Sequence, residues 1–236
     1  MALLSIKDLQ VAYGEVTALH DVSLEVDEGE LVAILGANGA GKTTLLRCIS
    51  GLLRPRSGEI RLKGESIANL PVHEIVRRGL THVPEGRGLM AELTVMENLR
   101  LGMYLKGPRR LQSELARVLE LFPVLRERAG QPAGMLSGGE QQMLAIARSL
   151  VAQPSLLMVD ELSLGLAPKI TSDLMKLLSR IHEEGVTVVM VEQNAHQALK
   201  YATRVYVLAN GRTALSGTAR ELADDPKMLN AYLGKD

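Results

Sequence analysis

The sequence has few of the features that mark secreted or nucleic-acid-binding proteins. Cys48 is the only cysteine among 236 residues, which excludes an intramolecular disulfide and suits a reducing compartment. We expect it to pack as a small apolar side chain. Lysine and arginine together number 27, as do aspartate and glutamate. Because the charge is balanced and no dense basic cluster is present, neither a nucleic-acid partner nor a basic membrane-binding patch is predicted.

Long hydrophobic runs are also missing. The apolar runs LVAIL at 31–35 and LLMV at 156–159 are far below the roughly 18 residues that a membrane-spanning helix requires. The amino-terminal stretch MALLSIKDLQ has no basic segment followed by an apolar one, so we expect no export signal. The resulting expectation is a cytosolic protein long enough to bury a substantial core.

The segment 31–46, LVAILGANGAGKTTLL, predicts a strand, a glycine-rich loop and a helix. Residues 36–43 match the phosphate-loop pattern GxxxxGK[ST], in which inward-pointing backbone N–H groups and the positive end of a helix cradle a triphosphate. Lys42 supplies charge for the β- and γ-phosphates, and the Thr43 hydroxyl suits Mg²⁺. An ordinary glycine turn is disfavoured by the order strand, loop, Lys-Thr, helix. The candidate nucleotide ligands here are Gly36, Ala37, Asn38, Gly39, Ala40, Gly41, Lys42, Thr43 and Thr44.

Two adjacent acids, Asp160 and Glu161, end the second apolar run. Because neighbouring side chains of a strand point to opposite faces, we expect two separate roles. Asp160 would hold Mg²⁺ directly or through water, and Glu161 would polarise the water that attacks the phosphate. Taken alone, the pair is as typical of a solvated strand end as of a catalytic site. The phosphate loop upstream favours the catalytic site.

A second glycine-containing helix start is predicted in LSGGEQQ at 136–142. Ser137 and Glu140 have the spacing of a capping box, at the start of a helix that runs to about Ala152. Gly138 and Gly139 are poor helix formers, and their bare backbone would let an anion approach the positive end of the helix. The capping box and the glycines do not by themselves establish an anion site.

The remaining patterns predict an α/β fold. Residues 3–13, 21–27 and 58–64 alternate apolar and polar side chains, which predicts a small antiparallel sheet beside the nucleotide-binding core. Apolar strands at 155–161 and 186–191, with a helix at 168–183 between them, predict a parallel sheet with right-handed crossovers.

Helical patterns dominate residues 89–150. Thr94 and Glu97 have capping-box spacing, Pro108 interrupts the helical pattern, and residues 111–122 resume it until Pro123. These residues therefore predict a helical insertion. A last capping box at 218–221 predicts a short helix before Pro226.

Together these segments resemble the ATP-binding subunits of ABC transporters over essentially the whole chain. GANGAGKT at 36–43 resembles Walker A, LSGGE at 136–140 the ABC signature and LLMVDE at 156–161 Walker B. The resemblance implies a P-loop NTPase (RecA-like) parallel-sheet core with an antiparallel β subdomain and an inserted α-helical subdomain. A single domain, 1–236, would then consist of core segments 1–88 and 151–236 and a signature subdomain at 89–150.

The resemblance also implies ATP hydrolysis with Mg²⁺ and head-to-tail pairing of two subunits. Each nucleotide would lie between the Walker A segment of one subunit and the signature of the other. The residues expected to contact the partner's nucleotide are Ser137, Gly138, Gly139 and Glu140. Tyr13, in a chain with no tryptophan and one phenylalanine, could present its ring to a base or simply pack on a strand edge. The resemblance places it at the adenine-stacking position.

Departures from the general pattern narrow the resemblance. Glu85 stands where most members have a glutamine that contacts Mg²⁺, and Gln193 where most have a histidine at the γ-phosphate. These two substitutions, together with the segments SLGLAP at 163–168 and GTARELADDP at 217–226, resemble the sequence of one of the two ATPases of branched-chain amino acid importers. Leu162 and Ala167 stand where proline and the D-loop aspartate are usual, which affects local backbone geometry and communication between the two sites.

The expected partners are a second, non-identical ABC ATPase, two transmembrane permease subunits and, indirectly, a periplasmic or extracellular substrate-binding protein. In isolation the chain could also form a homodimer. The expected location is the cytoplasmic face of the plasma membrane, as a peripheral subunit. An importer of urea or short-chain amides is a close alternative; a soluble ABC ATPase acting on ribosomes or DNA, and a P-loop kinase, are more distant ones.

Overall fold

The computed structural model describes residues 2–104 and 111–223, with residues 225 and 228. Its strands form two sheets. The strands are β1 (Ala2–Tyr13), β2 (Val16–Asp27), β3 (Leu31–Leu35), β4 (Ser57–Leu62), β5 (Glu65–Ser66), β6 (Leu80–Val83), β7 (Leu156–Asp160), β8 (Thr187–Glu192), β9 (Arg204–Ala209) and β10 (Arg212–Thr218).

Helices cover both faces of the larger sheet and fill the region between β6 and β7. They are α1 (Lys42–Ile49), α2 (Val72–Arg77), α3 (Val95–Leu101), α4 (Leu111–Leu121), α5 (Pro123–Glu127), α6 (Gly138–Val151), α7 (Pro168–Glu183), α8 (Ala195–Ala198) and α9 (Ala219–Ala223). Among the described residues, none of these helices combines the length and apolarity needed to cross a membrane.

The larger sheet has the order β10-β9-β3-β8-β7-β6. Its five strands β9, β3, β8, β7 and β6 run parallel, and only β10 is antiparallel. Strands β3, β7 and β8 are buried along their whole length, as continuous apolar runs in a parallel sheet should be. The carboxyl ends of all five parallel strands therefore meet at one edge, where ligands bind in open α/β sheets.

The smaller sheet, β2-β1-β4-β5, is antiparallel and confirms the predicted antiparallel sheet. Strand β2 is longer than the predicted 21–27, because it starts at Val16 and pairs there with Tyr13. One apolar cluster lies between this sheet and the near face of the parallel sheet, and it includes Cys48, which is 3% exposed. Burial raises the pKa of the Cys48 thiol to about 12, so the side chain packs as an apolar group.

The helices between β6 and β7 pack on the opposite side, in a second apolar cluster around Phe122 and helix α6. Thr94 and Glu97 form both bonds of the predicted capping box at the start of α3. Pro123 ends α4 as predicted, but it also begins α5, since proline fits the first turn of a helix. Pro108 and Pro226 lie outside the described residues.

Sequence reasoning missed the strands β5, β6, β9 and β10. The last two form a hairpin whose two-residue turn is Asn210-Gly211, with positive φ of 49° and 72°. Asn-Gly between apolar runs is a strong hairpin signal, because both turn residues tolerate this backbone conformation.

Candidate functional site

The phosphate-loop segment folds as the sequence predicts, from β3 through a glycine loop into α1. Gly36 is required by close approach, since a Cβ there would lie 2.3 Å from the carbonyl oxygen of Leu208. Gly41 has φ of +101°, and a Cβ there would lie 2.5 Å from a methyl group of Leu19. Gly41 is also the N-cap of α1 and makes no side-chain capping bond. The first N–H groups of α1 are thus not capped by Gly41, and they can serve an anion.

Lys42 is held close to the loop that precedes it. Its side chain is 4% exposed, and Nζ donates to the carbonyl oxygens of Gly36 at 3.0 Å and Ala37 at 3.1 Å. The same Nζ lies 3.5 Å from Oε1 of Glu161. The ammonium group is therefore placed between the loop and the acid that follows β7.

Asp160 is the last residue of β7 and is 1% exposed. The Thr43 hydroxyl donates to its Oδ1 at 3.3 Å, whereas its Oδ2 is buried and has no hydrogen-bond partner among the described residues. Burial raises the pKa of Asp160 to about 6, and the charges of Glu161 and Glu85 act in the same direction. A buried, unpartnered carboxylate oxygen beside a hydroxyl is a suitable site for a cation.

Glu161 does not continue the strand, which corrects the expectation that it and Asp160 alternate along β7. The strand ends at Asp160, and Glu161 has a left-handed backbone with φ of +45°. Its side chain then lines the cavity beside Lys42, instead of pointing to the face opposite Asp160. The two acids keep different neighbours, as predicted, because the chain turns between them.

Gln193 follows β8 and connects Glu161 to the phosphate loop. Its amide nitrogen lies 3.2 Å and 3.4 Å from the two carboxylate oxygens of Glu161. The same nitrogen donates to the side-chain oxygen of Asn38. A neutral amide can donate at this place without a change of protonation.

One cavity of about 560 Å³ lies at the carboxyl edge of the sheet. Each of the five parallel strands is followed by residues that line it, which is the arrangement expected of a ligand site in such a sheet. The lining residues are Val16, Thr17, Ala18, Asn38, Gly39, Gly41, Lys42, Thr43, Thr44, Glu85, Glu161, Leu164, Gln193, Asn210 and Gly211.

Sequence reasoning missed the Asn210-Gly211 turn and the start of β2 as parts of this cavity. Gly211 donates its N–H to the carbonyl oxygen of Ala40 at 3.1 Å and accepts from the N–H of His20 at 2.7 Å. A Cβ at Gly211 would lie 2.4 Å from the carbonyl oxygen of Ala18. The turn thus joins β2 to the phosphate loop. The Asn-Gly pair predicts a hairpin, but only the pairing of β9 with β3 brings it here.

Tyr13 lies at the rim of the cavity rather than in its lining. Its side chain is 47% exposed, and its hydroxyl is 3.4 Å from that of Thr44. Gly36, Ala37, Ala40 and Asp160 are not among the lining residues: the first three belong to the loop, and Asp160 accepts from the Thr43 hydroxyl.

The segment of Ser137 to Glu140 does not line this cavity. Ser137 caps α6, and Glu140 accepts from the Ser137 backbone N–H at 2.8 Å, which completes the predicted capping box. Arg128 Nε also lies 3.0 Å from Glu140 Oε1. Gly139 has a packing reason, because a Cβ there would lie 2.6 Å from a methyl group of Ile170 in α7.

Among the described residues, no three His, Cys, Asp or Glu side chains form a group that could hold a metal ion by themselves. Thr43 and Asp160 are suited to hold a cation together with oxygen atoms from a bound ligand, as phosphates provide for Mg²⁺. Glu85, which follows β6 and lines the cavity, is a further acid on this side.

Comparison with known proteins agrees with this geometry. A family model described as ABC transporter matches residues 19–163. The high-affinity branched-chain amino acid transport ATP-binding protein BraG of Pseudomonas aeruginosa is 50% identical, over 98% of this chain and 100% of BraG. The protein of the same description called BraF, from the same organism, is 34% identical over 99% of this chain and 98% of BraF.

A solved structure gives the same result for the fold. The ADP conformation of an ATP-binding cassette of an ABC transporter superposes with a TM-score of 0.88, covers 100% of both chains and is 26% identical. This likeness confirms the predicted fold class, and the family match supports nucleotide use. The chain belongs to the ABC transporter family, as one of its ATP-binding cassettes.

Proposed function

We propose that the chain is the ATP-binding and ATP-hydrolysing subunit of an ABC importer for branched-chain amino acids. The observation that carries the ATPase proposal is the convergence of Lys42, Thr43, Asp160, Glu161 and Gln193 at the carboxyl edge of one sheet. The substrate class is supported by the 50% identity to BraG over nearly the full length of both chains.

The triphosphate binds in the loop 36–44. Backbone N–H groups of the loop and of the first turn of α1 donate to the phosphate oxygens, and Lys42 contributes its charge to the β- and γ-phosphates. Lys42 is held by two carbonyl oxygens and lies near Glu161, so its position is set before the nucleotide binds. The exposed ring of Tyr13 at the rim stacks on the adenine.

Mg²⁺ fits beside Thr43 and Asp160. The unpartnered Oδ2 of Asp160 and the Thr43 hydroxyl would hold it, with Glu85 as a further acid near Asp160 in the cavity lining. When bound, it neutralises charge that develops on the phosphate oxygens.

Hydrolysis uses Glu161 as the group that orients the attacking water and accepts its proton. The water oxygen forms a bond to the γ-phosphorus, the bond from that phosphorus to the bridging oxygen breaks, and ADP and phosphate result. Gln193 holds the Glu161 carboxylate through its amide nitrogen and keeps it near Asn38 of the loop. Gln193 can also donate to the γ-phosphate, as a neutral group.

The signature segment serves the nucleotide of a second ATPase. Ser137 to Glu140 lie outside this chain's own cavity, so they can contact a nucleotide only across an interface. The partner we propose is a non-identical ATPase, since one organism has both BraG and BraF and this chain matches them at 50% and 34% identity. Two permease subunits in the membrane and an external substrate-binding protein complete the importer, with this chain at its cytoplasmic face.

The test is to tag the chain in its source organism, isolate the complex that it forms from membranes and reconstitute that complex in vesicles. We expect two permease subunits and a second ATPase to copurify, and ATP-dependent uptake of leucine, isoleucine or valine but not of urea. Uptake of urea or acetamide instead would replace the substrate class. Copurification with ribosomes or DNA, or a soluble chain without membrane subunits, would overturn the transport proposal.

A further inference from the structure

The chain segment that follows β7 is hydrogen-bonded to three successive residues at and just after the end of β8, which are Val191, Glu192 and Gln193. The Glu161 N–H donates to the carbonyl oxygen of Val191 at 3.0 Å. Ser163 donates both its backbone N–H, at 3.1 Å, and its hydroxyl, at 2.7 Å, to the carboxylate of Glu192. The Gln193 amide then donates to the Glu161 carboxylate. Glu192 is therefore in the middle of the contacts that hold the segment containing the proposed base.

Glu192 is an unusual residue for this place. It is 1% exposed, and a buried carboxylate is costly unless its oxygens are hydrogen-bonded. Burial raises its pKa, and the nearby charge of Glu161 acts in the same direction. Both of its oxygens accept bonds from the same residue, Ser163. A carboxylate with two bonds to one residue fixes both the backbone and the side chain of that residue.

The backbone of Glu161 requires such support. Its φ of +45° is unfavourable for a residue with a side chain, and a conformation of this kind persists only where neighbouring contacts determine it. Leu162 is 1% exposed and packs in the core, but it lacks a ring that would fix φ at that residue. The attachment through Ser163 is thus a polar constraint two residues after the strained one.

We propose that Glu192 is a positioning residue, which holds the segment 161–164 through Ser163 and thereby fixes the Glu161 carboxylate beside Lys42 and Gln193. The inference rests on the proposed function, because it takes Glu161 as the group that orients water. Leu164, on the same segment, lines the cavity.

The variants separate the effect of the hydrogen bonds between Glu192 and Ser163 from the effects of the charge and the volume of the Glu192 side chain. Glu192→Gln keeps an acceptor for the Ser163 N–H, and its amide group can donate to the rotated Ser163 hydroxyl. Glu192→Met keeps much of the volume and removes both acceptors. Ser163→Ala removes only the hydroxyl. Ser179→Ala is the matched control, because Ser179 makes a comparable bond of 3.3 Å to Glu183 on the exposed face of α7.

The experiment measures ATP turnover of each variant in the assembled transporter, nucleotide affinity of each isolated chain, and hydrogen exchange at the Ser163 amide. We expect Glu192→Met and Ser163→Ala to lower kcat by roughly tenfold, since small displacements of a catalytic group are costly. Nucleotide affinity should stay unchanged and exchange at Ser163 should become faster. Glu192→Gln and Ser179→Ala should behave like the wild type, and Ser163→Ala should cost little more when added to Glu192→Met.

Two results would overturn the inference alone while the wild-type complex hydrolyses ATP. One is full turnover in both Glu192→Met and Ser163→Ala. The other is a parallel fall of turnover, nucleotide affinity and thermal midpoint, which would assign the pair to general stability. A wild-type complex that does not hydrolyse ATP would overturn the proposed function, and this inference with it.

Discussion

In the part of the chain that the structure describes, the starts of α1 and α6 both contain glycine, and their local chemistry is opposite. Gly41 caps α1 without a side-chain bond, whereas Ser137 and Glu140 form a full capping box at α6. The α1 start faces a cavity lined by residues that follow five strands, and the α6 start is not part of that cavity. The first is built around a ligand-sized space, and the second is satisfied by its own residues.

This difference teaches how one cassette can carry two half-sites. A helix start capped by its own side chains is stable without a ligand, so α6 can present Gly138 on the surface of the free chain. A helix start without a cap gains most when an anion supplies the missing partners. Under the proposed function, α1 binds the chain's own nucleotide and α6 is completed only by the nucleotide of a partner.

The largest expected effect concerns the cavity alone. Glu161→Gln should lower ATP turnover of the assembled transporter by about 10² to 10⁴, because a general base acts chiefly in the transition state. Nucleotide binding should persist, whereas Lys42→Ala should abolish productive binding. Titration with a fluorescent nucleotide and phosphate release separate the two. Normal turnover in the Glu161→Gln complex would remove Glu161 from the catalytic role.

The second prediction concerns the pH dependence of stability, which sets the pH range in which the two helix starts can be compared in a folded chain. His82 of β6 is mostly buried, with Nδ1 3.2 Å from the Ser50 hydroxyl and Nε2 without a partner among the described residues. Burial, with a smaller effect of Arg47, lowers the pKa of His82 from 6.5 to about 4. Between these values the unfolded chain binds a proton that the folded chain does not. The contribution of His82 to stability is thus complete above 6.5, the pKa in the unfolded chain. It is lost as the pH falls from 6.5 to about 4.

The part of the loss that is due to His82 is up to about 3 kcal/mol in the free energy of unfolding of the isolated chain. Asp160, whose pKa is raised to about 6, acts in the opposite direction below that pH, so the His82 effect is the difference between the wild type and His82→Gln. Urea unfolding at several pH values between 4.5 and 7.5, roughly spanning this window, would measure it. His82→Gln should remove this part of the loss on acidification, and His196→Gln, at an exposed position, should not. The same acid dependence in the His82→Gln chain would show that other groups cause it.

Much of the cavity could be predicted from sequence, because its parts are encoded in short segments. The phosphate loop, the strand before Asp160 and the capping box of Ser137 depend on residues a few positions apart, and those patterns are confirmed in the fold. The assignment of ligands to these residues stays a prediction. The Asn210-Gly211 turn could not be placed, because its position depends on β9 pairing with β3, which is far away in sequence.

The turn at Glu161 could not be predicted for a different reason. Strand periodicity places Asp160 and Glu161 on opposite faces, and nothing in LLMVDEL indicates a left-handed residue. The conformation depends on contacts with Val191 and Glu192 at the end of a different strand and with Gln193, which follows it. Tertiary contacts therefore decide where the most important acid of the site points.

The third prediction tests the α6 start. Ser137→Ala should lower the stability of the isolated chain by about 1 kcal/mol, since the N-cap bond is lost. Nucleotide affinity of the isolated chain should not change, because Ser137 is outside its cavity. In the assembled transporter, turnover should fall by roughly tenfold, as expected when a hydrogen bond to a charged group is removed. Weaker nucleotide binding by the isolated variant would contradict the separation of the two half-sites.

The smallest expected effect concerns the rim of the cavity. Tyr13 is 47% exposed, and its hydroxyl lies 3.4 Å from the Thr44 hydroxyl. If its ring stacks on the adenine, Tyr13→Ala should weaken ATP binding by about 1 kcal/mol, whereas Tyr13→Trp and Tyr13→Phe should largely preserve it.

The comparison among these three variants distinguishes stacking from a hydrogen-bonding role. A loss in Tyr13→Phe as large as in Tyr13→Ala would assign the effect to the hydroxyl and its bond to Thr44. Triphosphate without the base provides a further check: binding of inorganic tripolyphosphate should be the same in all variants, because stacking acts only on adenine. If tripolyphosphate binding also weakens in Tyr13→Ala, the residue supports the phosphate loop through Thr44. The rim would then belong to the same structural unit as the start of α1, rather than being a separate contact for the base.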